Sequence, residues 1–166
     1  MTRHVPQGSR RPAAALAAGA IAIAVNTALL AAMAQAGLRT AHGGLLRLVQ
    51  DAAVLPAMGG TAQAAFHVLV GLLMALGYGL VAEPMLPGPA WRKGLVAAAA
   101  VWLLNAAVVL PLIGEGFAGT AHLRPVGLLG FAFAHTVFFV LLAVLYRRLP
   151  QAGARFGRAG QERRMR

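Results

Sequence analysis

Two histidines stand where an ionisable side chain is costly. His67 and His135 each fall within a long apolar stretch. A titratable group in hydrocarbon is kept only where a partner or a function compensates its desolvation. Three chemistries suit them. A neutral imidazole can donate to a carbonyl, hydroxyl or amide and simply pack. A pair can hold haem or a metal ion, although transition-metal sites usually take a third ligand and no spacing motif supplies one. A pair can also relay protons or touch a quinone or another small apolar molecule. Tyr78, Trp102, Asn105 and Thr136, with Phe131, Phe138 and Phe139, are the candidate lining of such a pocket. No pattern singles out haem or a metal ion, so no cofactor is predicted.

Other chemistries lack their residues. There is no cysteine, so disulfides, thiolate catalysis and Cys-ligated metals are excluded. Ser9 is the only serine and lies in the N-terminal tail, so no serine nucleophile is in place. Gly127-Leu128-Leu129-Gly130 lacks the lysine of a phosphate loop. Paired carboxylates inside the apolar stretches are absent. Outside them, Glu115, His122, Asp51 and His42 offer oxygen and nitrogen to a divalent cation. Glu115 and His122 are separated by a glycine-rich loop, so no helical geometry fixes them, and a solvated loop is expected.

The histidines must be positioned by helices in a membrane. Charged residues make up 11% of the chain, against about 25% in a soluble domain, and they gather at the ends and in short gaps. Apolar runs span Ala13 to Leu38, Thr61 to Val81, Gly94 to Ile113 and Val126 to Tyr146. Runs of about twenty residues reach across a bilayer core of roughly 30 Å as helices. Period-two alternation is missing, which argues against barrel strands. The sequence therefore predicts an all-α, four-helix transmembrane up-down bundle. Residues 1–12 form a basic tail, 13–148 the membrane domain, and 149–166 an Arg-rich, disordered tail.

With both termini inside, the inner segments hold twelve Lys and Arg and the outer loops hold Arg39, Arg47 and Arg124. The positive-inside rule thus places both termini in the cytoplasm. The same clustering accounts for the net charge of +11. Basic ends beside spans meet anionic lipid, and only Phe156 interleaves with them as a stacking platform for nucleic acid would require. Nucleic acid is not an expected partner. The first run follows Arg10-Arg11 and ends near Ala34-Gln35-Ala36, like a secretory signal. Its apolar length is about twice that of a signal, so a retained anchor is expected.

Between the first two spans, Leu45, Leu46, Leu48 and Val49 surround Arg47, Gln50 and Asp51. This predicts a short amphipathic interfacial helix, with Arg47 and Asp51 paired four residues apart. Small residues should then decide helix association in lipid. Gly71, Ala75 and Gly79 form a small ridge on the second span, and Gly127, Gly130 and Ala134 lie beside His135 on the fourth. Asn26 and Asn105 should each bond across helices, and Pro111 should kink or end the third span. The second and fourth helices of an up-down bundle lie diagonally, so His67 and His135 can face each other across its axis.

The order of these features resembles small bacterial four-helix inner-membrane proteins of the YagU type. The likeness covers about residues 50 to 148. It rests on Leu55-Pro56-Ala57-Met58-Gly59-Gly60, His67 with Gly71, Leu86-Pro87-Gly88, Gly94, Trp102, the run Pro111-Leu112-Ile113-Gly114-Glu115-Gly116-Phe117, and His135. It implies the four-helix fold and a bacterial inner membrane, in a family without an assigned activity. The chain departs from similar proteins after His135, where Thr136, Val137, Phe138 and Phe139 replace the expected nearby glycine. Two functions stay open. One is a non-enzymatic accessory or orphan membrane protein, with a larger membrane complex or further copies of itself as partners. The other is redox, proton or small-molecule transfer through His67 and His135.

Overall fold

The computed structural model describes residues 7–52, 56 and 58–164, with side chains from 12 to 149 within that range. Arg3 in the basic tail, and Leu55 and Ala57 in the turn before the second span, lie outside the described residues. Four helices are long and apolar enough to cross a bilayer: Pro12–Gln35, Gly60–Met85, Ala90–Leu112 and Pro125–Leu149. They pack as an all-α bundle. The short helix Gly44–Asp51 lies between the first and second spans. Large side chains such as Leu69, Leu73, Leu103 and Leu129 face outward, a surface that suits lipid rather than water. The chain is a multi-pass membrane protein.

Neighbouring spans run antiparallel, and small residues bring them together. On the first and second spans, Gly71 meets Ile23, Ala75 meets Gly19, and Gly79 meets Ala15. The fourth span lies on the first: Gly127 abuts the Arg39 carbonyl and Gly130 abuts Met33. The third span lies on the fourth. There a Cβ on Gly94 would come within 2.7 Å of the Phe139 carbonyl oxygen and the Val140 Cα. This is backbone against backbone. The fourth span lacks a glycine just after His135, but the close approach is still made, with the glycine on the opposite helix. Spans two and three touch chiefly near Tyr78–Ala82, so the bundle is looser between them toward the end carrying residues 36–52 and 113–124. That end is called here the loop end, and its opposite the terminal end.

Two π-helical turns, Tyr78–Ala82 and Asn105–Val109, interrupt the second and third spans. Each ends two residues before a proline, Pro84 or Pro111. A proline ring collides with the carbonyl four residues back and removes a donor, and one widened turn accommodates it. Pro111 stands one residue before the third span ends. The helix runs on to Leu112 and closes at Gly114, whose φ of 78° suits glycine. There the Glu115 N–H donates to the Leu110 carbonyl at 2.9 Å. Gly37 closes the first span in the same way, with the Leu38 N–H donating to Met33 at 2.9 Å. The last helix spans Pro125–Arg164. Extending a helix already nucleated in the membrane is cheap compared with starting one.

The terminal end is tied by an ionic cluster. Glu83 accepts from the Tyr78 hydroxyl at 2.7 Å, from Lys93 Nζ at 3.1 Å and from Arg147 Nε at 2.8 Å. Lys93 is buried and also donates to the Glu83 carbonyl at 2.5 Å. Arg147 reaches the Gly88 carbonyl, and the Tyr146 hydroxyl donates to the Gly79 carbonyl. One carboxylate thus fastens the second, third and fourth spans.

Four outcomes follow for stability, each read by thermal unfolding in detergent. Gly94→Ala costs about 1–3 kcal/mol, because its neighbour is backbone and cannot yield. Gly77→Ala meets nothing within 4 Å and is neutral or stabilising by up to about 1 kcal/mol. Glu83→Leu costs about 3–5 kcal/mol by stranding a buried ammonium. Glu83→Leu with Lys93→Met recovers most of that loss.

Candidate functional site

The splay between the second and third spans opens into a cavity of about 160 Å³ at the loop end of the bundle. All four spans contribute to its wall. Asn26 and Ile23 come from the first, Phe66, His67 and Met74 from the second, Asn105 from the third, and Phe131, His135 and Phe138 from the fourth. Residues 41–46 fold over it as a lid. Gly43, with φ of 90°, turns the chain into the short helix. Gly44 seats that helix on Val109, Leu110 and Ile113. Leu46 is buried beneath it, while Arg47 and Asp51 point outward and pair at 3.8 Å. The amphipathic helix therefore serves as a cover for the bundle. Toward the terminal end, Ala75, Phe139 and Leu142 are buried and close the floor.

His67 and His135 both line this cavity. His135 Nδ1 lies 3.0 Å from the Phe131 carbonyl. A carbonyl only accepts, so Nδ1 carries the hydrogen and Nε2 keeps a lone pair. His67 Nε2 is buried with no hydrogen-bond partner. The ring in contact with His67 belongs to His42, edge to face at 4.6 Å between centroids. His42 also lines the cavity, and burial pushes its imidazole below the ordinary value of 6.5. By sequence His42 is an outer loop residue. The signal for its place was Gly43-Gly44, the turn that carries it back over the bundle.

The other candidates divide. Asn105 lines the cavity, and its amide donates to Val101 on its own helix at 3.3 Å rather than across helices. Tyr78 does not line it and belongs to the Glu83 cluster. Trp102 packs beside Leu110, Ile113 and Phe131. Thr136 turns back to donate to the Ala132 carbonyl at 2.8 Å. Phe131 and Phe138 form walls, whereas Phe139 lies in the core below. Asn26, read from sequence as a packing amide, does bond across helices, donating to the Ala134 carbonyl at 2.9 Å. It is also a wall of the cavity. Gly71 serves both roles, while Ala75 and Gly79 only pack.

A metal at the loop end finds no ready ligands. Among the described residues, no three His, Asp or Glu side chains are grouped to hold an ion. Glu115 is already answered by Arg47 at 3.2 Å and faces His122 at 3.2 Å. The cavity also limits cofactors by size. A dry cavity of about 150 Å³ takes a benzene ring, so a tetrapyrrole between His67 and His135 would require the spans to part. Comparison with protein-family models, curated proteins and solved structures finds no match.

Proposed function

We propose that this chain is a non-enzymatic protein of a bacterial cytoplasmic membrane that binds one small molecule inside its bundle, beside His67 and His135. The observation that carries this reading is the cavity itself, a ring-sized space walled by all four spans. The order of features that resembles the YagU-type proteins fits the same membrane. The basic residues favour both termini in the cytoplasm, with the cavity toward the outer side and the Arg-rich ends against anionic lipid. A larger membrane complex or a second copy would then meet the lipid-facing sides.

Binding accounts for the site better than proton transfer. A relay from His42 through His67 to His135 would next meet Phe138, Phe139 and Leu142, which are buried and apolar. They separate the histidines from Tyr78, Tyr146 and Glu83. Polar groups line the cavity and stop at its floor.

Single-ring probes have the right size to test this. Phenol or anisole should stabilise the detergent-purified protein by about 2.7 kcal/mol at a hundredfold excess over Kd, read as a rise in its unfolding temperature. Val70→Phe places a ring in the cavity and should abolish the rise. If the variant and the parent respond alike to both probes, the probes act through detergent and the reading fails.

The lid should also answer to pH. Burial lowers the His42 value, so the folded state favours neutral His42. The stability this contributes is full above 6.5 and is lost as pH falls through the lowered value. Between about pH 7 and pH 5, hydrogen exchange in residues 41–46, corrected for intrinsic rate, should therefore speed up. His42→Gln should remove that dependence, and a profile unchanged by the substitution would contradict it.

A further inference from the structure

Charge does not balance at the terminal end. Among the residues with described side chains, Glu83 is the one carboxylate there, against the four cations Arg92, Lys93, Arg147 and Arg148. Both of its oxygens are taken: Oε1 accepts from Lys93 and Arg147, and Oε2 from Tyr78. Asp51 and Glu115 lie at the opposite end, where Arg47 answers them. Arg92 and Arg148 are exposed, and neither side chain has a hydrogen-bond or ion-pair partner among the described residues. Arg92 and Arg147 meet at one residue of the inner turn. Arg147 Nη2 donates to the Gly88 carbonyl at 3.1 Å. A Cβ on Gly88 would stand 4.0 Å from Arg92 Nη1 and, chain neighbours apart, would meet nothing else within that distance. Gly88, with φ of 102°, therefore floors an open notch with a guanidinium at its carbonyl and another above its Cα.

We propose that this notch holds the phosphate of an anionic phospholipid, between Arg92 and Arg147. The inference rests on the membrane reading above and narrows its contact with anionic lipid from the Arg-rich ends to one site. A guanidinium carries five N–H donors and pairs them with phosphate oxygens. Arg147 spends two, on Glu83 and the Gly88 carbonyl, and is thereby held in place before a ligand arrives. Arg92 spends none, and Glu83 has no oxygen left for it, so the missing anion must come from outside the chain. The notch lies in the turn between the second span, which ends at Met85, and the third, which begins at Ala90. That is the depth of lipid headgroups, not of hydrocarbon. Met85 and Trp91 are exposed just before and after the turn. Tryptophan favours this depth, and apolar surface beside the notch suits a phosphate that carries acyl chains over a free one. A zwitterionic headgroup brings its own cation and would leave the surplus charge in place. With both termini in the cytoplasm, the notch faces the leaflet that carries anionic lipid.

Lipid binding to the full-length, detergent-purified protein, read by thermal shift and by native mass spectrometry, tests the proposal. Dioctanoyl phosphatidylglycerol should bind about tenfold more tightly than dioctanoyl phosphatidylcholine. Arg92→Gln should shrink that preference to within about threefold. Arg92 has no partner in the fold, so the variant should unfold at the parent's temperature when no lipid is added. Arg124→Gln removes the same charge from an exposed arginine at the loop end and should leave the preference as it is. Equal losses from Arg92→Gln and Arg124→Gln would reduce the effect to net charge and overturn the site. Inorganic phosphate binding as tightly as phosphatidylglycerol would overturn the lipid as its occupant. A preference that survives Arg92→Gln would return the lipid contact to the Arg-rich tails and sink the notch alone. The cavity reading is decided separately, by the phenol response and its loss in Val70→Phe.

Discussion

A polar group inside a bilayer has no water to turn to, and its partner must come from the bundle. This constraint shapes the structure more than any apolar contact, because apolar side chains gain little by leaving lipid for one another. Helical backbone carbonyls are the partners nearest to hand. Asn26, Asn105, Thr136 and His135 each donate to one. Only the Asn26 bond crosses between helices, joining the first span to the fourth at the level of the cavity. The three bonds within a helix settle the donor without binding a neighbour. They leave interhelical cohesion to close packing at Gly71, Gly94 and Gly127.

Close packing and ionic ties act at different levels of the bundle. Toward the terminal end, Ala15, Ala75 and Ala98 let the helices meet with no space between them, and the charge of Glu83 is shared among Tyr78, Lys93 and Arg147. Toward the loop end, larger residues such as Phe66, Phe131 and Phe138 hold the spans apart. The two π-helical turns fit this division. The turn at Tyr78 sits where spans two and three converge. The turn at Asn105 lies on the cavity wall, and the widened helix there carries the one amide the third span contributes. A single proline displaced by a few residues along either span would move the wide turn and change which side chain faces the interior.

Much of this was legible from residue types. Apolar run length fixed four spans to within a few residues, because hydrocarbon thickness leaves little choice. The spacing of Gly71, Ala75 and Gly79 pointed to a packing face, since only small residues repeat usefully every four positions. The alternation of leucines with Arg47 and Asp51 marked the short helix. Hydropathy was blind to relations between segments distant in sequence. Glu83 reads as a turn residue beside Pro84, though it is the sole acidic residue near the end of the second span and faces two cations. Trp102 and Thr136 were candidates by type, but helical rotation turns one into a packing cluster and the other back onto its own carbonyl. His42 lies outside every span, so no intramembrane argument could reach it.

The character of the cavity follows from the same constraint on buried polar groups. A side-chain amide or imidazole has both donor and acceptor sites, whereas a free backbone carbonyl has only acceptor sites. Helix interiors offer spare carbonyl lone pairs and almost no spare N–H groups, because each interior N–H is already bonded within its helix. An amide or imidazole buried among helices will therefore spend one donor on a carbonyl, and a primary amide keeps its second N–H along with its oxygen. A cavity walled by such residues keeps polar groups of both kinds without any residue being placed for that purpose. What is particular to this chain is that Asn26, Asn105, His67 and His135 line one ring-sized space with aromatic walls and no carboxylate. The packing rule explains why polar groups are left over. Their convergence on a single cavity is what helix packing alone does not require.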